Sequence, residues 1–246
     1  MKVRMYKKLV ISVIELMVCS ISKGQQNKNT PPWKSLFNGK DLTGWKILND
    51  KGNVYIEDGA IVGHPVANTT ASTFICTKGN YGDFIFEAEA RLEGKWHTGF
   101  IVRGSVKENE DSIFSVSGYQ VKIDPTDRKW TGGIFDLRGN GVEWYYPLTE
   151  SEEARSAFKF NEWNRFRIEA IGDSIKIWVN GIPTCNLVHN RYSEGSITIK
   201  VHSMGDTPEL ETAFMKFRDL RIITKNPDKY KMPINYPVIN LKKSDY

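Results

Sequence analysis

Phe84, Phe86, Ala88 and Ala90 alternate with Ile85, Glu87, Glu89 and Arg91, and Phe166, Ile168 and Ala170 alternate with Arg165, Arg167 and Glu169. A period of two sends successive side chains to opposite faces of a β-strand, so each run buries one face and leaves the other polar. The same template fits "STFICTK", "HTGFIVRG", "GYQVKID", "GGIFDLR", "SIKIWVNGI", "GSITIKVHS" and "MKFRDLRIITK". Asp58-Gly59, Gly172-Asp173 and Asn180-Gly181 separate such runs with residues that accept positive φ at small cost, as tight hairpins require. Roughly ten strands with turn signals between them predict an all-β fold, an antiparallel two-sheet sandwich. Strand counting alone leaves jelly-roll, immunoglobulin-like and barrel variants open. One segment reads differently: "TESEEARSAF" has Thr149 three residues before Glu152, a capping-box spacing that predicts a short surface helix or a loop.

The chain has 246 residues with 40% hydrophobic side chains and seven Trp, enough to bury a sizeable core. Its net charge of +5 suggests a basic surface, but Lys2, Arg4, Lys7, Lys8, Lys23 and Glu15 all fall in the first 24 residues. The remainder holds 29 basic against 28 acidic side chains, which is no electrostatic footprint for nucleic acid. The start reads as a processing segment. "MKVRMYKK" is a positive n-region, "LVISVIELMVCSI" is an apolar stretch too short for a comfortable membrane span, and small residues follow at Ser22 and Gly24. Residues 1–24 are therefore expected to be a signal peptide, with a periplasmic or extracellular mature protein. A buried N-terminal element is the competing reading. Lipoprotein anchoring through Cys19 ranks second, because Val18 rather than a small residue precedes it. Residues 25–32, "QQNKNTPP", read as a linker, 33–224 as the sandwich, and 225–246 as an extended C-terminal tail over the body. Cys76 and Cys185 lie in apolar strand-like runs, where free buried thiols are at least as expected as a disulfide.

No GxSxG, HExxH, P-loop or Rossmann glycine pattern occurs, and the four histidines (64, 97, 189 and 202) would nearly all be needed for a multi-histidine metal site. What remains is a polar array on strands. Gln120, Lys122 and Asp124 share one face of a strand, and Thr198, Lys200 and His202 share one face of another. Arg103 ends a third strand, and Asp136 and Arg138 alternate on a fourth. Half of any sandwich strand faces solvent, so Glu89, Arg91, Arg165, Arg167 and Glu169 read as ordinary surface. For His202, beside the apolar run of Ile197, Ile199 and Val201, a structural role weighs equally with a functional one. Trp45, Trp96, Trp130 and Trp144 offer flat faces that suit sugar C–H surfaces, although most Trp in a sandwich are core.

The segments "WKSLFNGKDLTGWK", "EDGAIVG", "YGDFIFEAEARL", "HTGFIVRG", "GYQVKIDPTDRKWTGGIFD", "EWNRFRIEAIGDSIKIWVNG", "GSITIKVHS" and "MKFRDLRI" occur in the order found in the 3-keto-disaccharide hydrolase family, which this chain resembles from Trp33 to Ile223. The resemblance implies a concanavalin A-like jelly-roll sandwich whose concave sheet binds carbohydrate, in an exported protein of sugar breakdown. It implies cleavage of 3-keto-glycosides by elimination and hydration: a C3 ketone acidifies the C2 proton, an enolate forms, the anomeric substituent leaves and water adds. Such a route needs a base near C2, a proton donor to the leaving oxygen and a positive or hydrogen-bonding group at the C3 oxygen. It does not need the paired carboxylates of ordinary glycosidases.

Arg103, Tyr119, Gln120, Asp124, Gly132, Gly133, Asp136 and His202 fall where similar residues occur in the family. Lys122 stands where many members carry glutamate, Lys200 where many carry glutamine, Phe135 where tyrosine is usual, and His97 where asparagine is usual. On this footing Asp136, His202, Lys122 and Asp124 are the expected catalytic residues. Arg103, Gln120, His97, Arg138, Lys200 and Trp130 are the expected substrate contacts. A divalent metal, used by some relatives, is left open with no ligands assigned. If the family's glutamate is essential, Lys122 either takes a new role or marks a lectin-like module that binds sugar without turnover. A structural component of a sugar-processing surface complex is the third alternative. The enzymatic reading, with Asp136 in the pocket, expects Gln120, Asp136 and His202 to share one hollow.

Overall fold

The computed structural model describes residues 30–94, 96–138, 141–205 and 212–241. The expected signal peptide with Cys19, and most of the linker, lie outside the described residues, as do the side chains of Leu137, Arg138 and residues 141–143. In chain order the strands are β1 (Lys34–Ser35), β2 (Trp45–Leu48), β3 (Asn53–Glu57), β4 (Ala60–His64), β5 (Thr73–Thr77), β6 (Phe84–Glu93), β7 (Thr98–Glu108) and β8 (Phe114–Ile123). They continue as β9 (Ile134–Arg138), β10 (Gly141–Tyr146), β11 (Asn164–Ile171), β12 (Ser174–Val179), β13 (Ile182–His189), β14 (Ser196–Val201), β15 (Phe214–Ile223) and β16 (Ile239–Leu241). Among the described residues a seven-stranded sheet runs β10-β9-β8-β7-β14-β5-β2. A nine-stranded sheet runs β16-β13-β12-β11-β6-β15-β4-β3, with β1 beside β15. Every pairing is antiparallel except that of β13 with β16. The chain is thus the all-β two-sheet sandwich that the alternation predicts.

The inward faces meet in one core. Phe100 of the seven-stranded sheet packs edge-on against Phe86, Phe166 and Phe217 of the other, with ring centroids 5.3 to 5.5 Å apart. Tyr119, Val121 and Ile123 of β8 and Ile197, Ile199 and Val201 of β14 point into this core. Their alternates, Gln120, Lys122, Thr198 and Lys200, are therefore committed to the outward face of the seven-stranded sheet. Hairpin turns sit where expected: Asp58 and Gly59 have φ of 48° and 73°, and Asn180 and Gly181 have φ of 51° and 83°. Helix α1 (Glu152–Ser156) occupies the predicted helical segment, but its cap is Ser151, whose Oγ accepts from the Ala154 amide, and not Thr149.

Cys76 and Cys185 are both free and buried, one in each sheet. On the outward face of the nine-stranded sheet, Glu87 pairs with Arg165, Arg167 and Arg221, and Glu89 with Arg165 and Arg218. The C-terminal tail is more than an extended strap. It forms a 3-10 turn at Pro227–Tyr230 and then the parallel strand β16.

Candidate functional site

The site lies on the outward face of the seven-stranded sheet and follows from register. Lys122 of β8 pairs with Gly99 of β7, and Gly99 pairs with Lys200 of β14. The two lysines therefore flank a glycine in one row, their Cα atoms roughly 10 Å apart across two strand spacings. A Cβ at position 99 would lie 2.2 Å from the Val121 carbonyl oxygen and 3.3 Å from Gln120 Nε2, so only glycine fits there. Gln120 is in the neighbouring row, opposite Ile101 on one side and Phe135 on the other.

Lys122 and Lys200 are 5% and 6% exposed, and neither Nζ has a hydrogen-bond or carboxylate partner among the described residues. Burial, then the charge of Lys200, lowers the Lys122 ammonium to about 7. Burial alone lowers Lys200 to about 8. Phe135 lies under Lys122, with Nζ 5.3 Å from the ring centroid. Beyond it Trp144 contacts Phe135, Trp130 packs edge-on against Trp144 at 4.8 Å, and Arg128 stands 5.0 Å from both indoles. This aromatic wall closes one side of the site.

The other side is histidine. His97 enters β7 and His202 leaves β14 at the same end of the sheet, and their rings meet at 4.4 Å between centroids. Trp96 contacts both at 5.3 Å. His202 Nδ1 lies 2.7 Å from the Ser203 carbonyl oxygen. A carbonyl only accepts, so Nδ1 carries the hydrogen and Nε2 keeps the lone pair. Burial, then Lys200, depresses His202 to about 3; burial, then Lys122 and Lys200, depresses His97 to about 4. Both rings are neutral at pH 7.

Three buried polar atoms here lack any partner among the described residues: Nε2 and Oε1 of Gln120 and Nε1 of Trp96. Buried polar groups are almost always satisfied, and leaving one unmade costs about 1–3 kcal/mol. Orphan donors and an acceptor beside two lysines without a partner among the described residues leave this face able to hydrogen-bond a polar ligand.

The expected residues divide into two groups. Gln120, Lys122, Lys200, His97, His202 and Trp130 come together on the outward face. Asp124 borders it, but Arg128 donates to its Oδ2 at 2.6 and 2.9 Å and Thr126 to its Oδ1 at 2.7 Å. Burial pushes this carboxyl up, and the Thr126 and Arg128 hydrogen bonds outweigh that and hold it below its ordinary value. Asp124 is a fixed anion that holds Arg128 against the aromatic wall, not a proton donor.

Asp136 and Arg103 are corrections. Asp136 pairs with Tyr119 and so points inward, where it accepts hydrogen bonds from Tyr145 at 2.7 Å and Tyr192 at 2.9 Å. It lies on the opposite side of the sheet from Gln120 and His202, so the hollow expected to hold all three does not form, and what remains on the outward face is the set without Asp136. Arg103 sits in a β-bulge between Val102 and Ser105 with φ of 53°. Its guanidinium donates to the carbonyls of Gly82 and Tyr192, both at 3.1 Å, and meets Asp83 at 3.5 Å. Arg138 is placed on β9, with its side chain outside the described residues. Sequence reasoning missed Phe135 as part of the wall. Its placement opposite Gln120 depends on a register that no local pattern reports.

The divalent metal left open by the resemblance does not fit these residues. Among the described residues no three His, Cys, Asp or Glu side chains converge, and the two histidines stand beside two lysines whose charge opposes a cation.

The two antiparallel sheets, with polar and aromatic side chains gathered on one outward face, define an all-β jelly-roll type of sandwich. The match is more particular: residues 32–223 match the 3-keto-alpha-glucoside-1,2-lyase-like domain, and the chain belongs to that family. A structure from Parabacteroides distasonis ATCC 8503, provisionally named a glycosyl hydrolase, superposes with a TM-score of 0.58 at 20% identity, covering 79% of this chain and 94% of that one. The carbohydrate-binding module CBM66 from Bacillus subtilis gives 0.52 at 17% identity, covering 72% and 93%. The Bacillus licheniformis β-glucanase gives 0.50 at 12% identity, covering 81% and 100%. At these identities the likeness establishes the fold. No curated protein sequence matches the chain.

Proposed function

We propose that this protein is an exported enzyme that cleaves glycosides bearing a ketone at C3, and that it works on the outward face of the seven-stranded sheet. Family membership supports the substrate class, and the N-terminal sequence pattern supports export. The observation that carries the reading is the convergence of Lys122, Lys200, His97, His202 and the unsatisfied Gln120 on one face.

In this reading the sugar ring lies against the wall of Phe135, Trp144 and Trp130. Its C3 oxygen faces the lysine pair, and Gln120 receives a ring hydroxyl. The C2–H bond breaks toward His202 Nε2, and the negative charge that develops on the C3 oxygen is met by the Lys200 ammonium. The imidazolium so formed is a strong acid in this buried place and gives its proton to the leaving C1 oxygen. The C1–O bond breaks as C1=C2 forms. Hydration runs the steps in reverse: His202 takes a proton from water as the hydroxyl adds to C1, then returns it to C2.

The test is release of nitrophenol from a nitrophenyl 3-keto-glucoside. Release by the wild type, insensitive to EDTA, is expected. His202→Gln should lower it by about 10²–10⁴-fold, the usual contribution of a positioned acid–base group, with little change in melting temperature. Release at the wild-type rate by His202→Gln would remove His202 from the chemistry. Sugar binding without release under any condition would make the protein a lectin-like module.

A further inference from the structure

Lys122 is placed to do more than hydrogen-bond the C3 oxygen. We propose that its amine adds to the C3 ketone and carries the substrate as a covalent iminium, with Lys200 as the proton source for the departing oxygen. The inference rests on the 3-keto reading of the same site.

Geometry carries it. Lys122 and Lys200 face outward from either side of Gly99, which cannot hold a side chain between them. The nearest acid to act on Lys122, Asp124, is already engaged through both oxygens by Thr126 and Arg128. An ammonium with no acid to pair with, buried against Phe135 and near a second cation, is easily deprotonated. The free base is the nucleophilic form, and the depression of Lys122 to about 7 agrees with this placement. Lys200, depressed less, to about 8, is the member that keeps its proton.

The step balances. The Nζ lone pair forms the N–C3 bond while the carbonyl π pair moves onto oxygen. One proton moves from Nζ to that oxygen and a second comes from Lys200, so oxygen leaves as water and a protonated C3=N bond remains. Hydrolysis after elimination reverses these transfers and returns the proton to Lys200. The gain is at C2. His202 is a weak base at about 3, poorly matched to the α-proton of a ketone, whereas an iminium places a full positive charge beside that carbon, and the C2 electron pair passes to nitrogen as an enamine in place of the C3 oxyanion of the ketone route.

The full chain, incubated with the nitrophenyl 3-keto-glucoside and sodium cyanoborohydride, should lose activity progressively. Loss should require both reagents, and peptide mass mapping should find one reduced sugar adduct on Lys122. A glucoside without the ketone should leave no adduct. Lys122→Arg keeps a cation at the site but cannot form an imine, so it should bind sugar, release no nitrophenol and resist labelling. Continued release without inactivation or adduct, release by Lys122→Arg, or an adduct confined to Lys200 would each overturn the iminium while the 3-keto reading stands. Absence of both release and adduct in the wild type would overturn the 3-keto reading and the iminium with it.

Discussion

Lys122 and Lys200 give up ammonium solvation without a carboxylate in return, and that burden has a sign that can be measured. The unfolded chain holds the Lys122 proton up to its ordinary value of 10.5, whereas the folded chain releases it at about 7. Between those values the unfolded state binds more protons, so stability contributed by this group rises with pH. Lys200 adds to the rise from about 8. His202 and His97, at about 3 and 4 when folded against 6.5 when unfolded, contribute a separate rise over the acidic side of that range. The groups facing the lysine pair are Asp124, Arg128, His97 and His202. Lys122→Met, similar in shape and uncharged, should therefore raise the melting temperature at pH 6, with the gain shrinking toward pH 10. A variant less stable than wild type at pH 6 would mean that the ammonium has a partner that stabilises it. The lysines were legible from sequence because parity alone assigns them: Tyr119 and Val121 in the core force Gln120 and Lys122 outward. Asp136 was not, because its own short strand offers no run long enough to fix which face it takes.

At the level of elements, the bulge in β7 decides what Arg103 does. Strict alternation after Phe100 and Val102 would leave Arg103 on the outward face with Ile101, the face where the substrate contact implied by the resemblance would have to lie. The extra residue and the positive φ break the parity and turn the guanidinium toward Gly82, Tyr192 and Asp83. Arg103→Met should destabilise the fold by about 2–4 kcal/mol in urea unfolding, the range for stripping a buried cation from its acceptors. Sugar binding by the folded fraction should be unchanged, and its loss would return Arg103 to the site. Other elements were readable to differing degrees. The hairpins joining β3 to β4, β11 to β12 and β12 to β13 announced themselves through Asp58-Gly59, Gly172-Asp173 and Asn180-Gly181. Strand β10 did not. Its Trp144-Tyr145-Tyr146 run crosses an irregular register opposite β9, which erases the alternation that identifies a strand.

On the scale of the whole molecule, the two outward faces have become different things. The face of the seven-stranded sheet keeps two buried lysines with no partner among the described residues. The face of the nine-stranded sheet is closed by ion pairs and by the tail. Met232 donates its amide to Glu169 at 2.8 Å, Arg167 donates to the Tyr230 carbonyl at 2.5 Å, and Asn186 donates to the Tyr236 carbonyl at 2.9 Å. Tyr146 of β10, in the other sheet, donates to the Pro237 carbonyl, so the tail also laces the sandwich together along one edge. Ending the chain after Asn226 removes all four bonds and the pairing of β16 with β13, and leaves Glu169 and Arg167 with fewer partners. A loss of about 4 kcal/mol follows from four bonds at the usual net value of about 1 kcal/mol each. For a domain of this size that lowers the melting temperature by roughly 8–16 °C. The lysine row lies on the other sheet and, among the described residues, shares no hydrogen bond with the tail, so the shortened protein should bind sugar at 25 °C as the full chain does. Binding lost in step with the melting temperature would show that the groove depends on the tail's clamp and that the two faces act as one device.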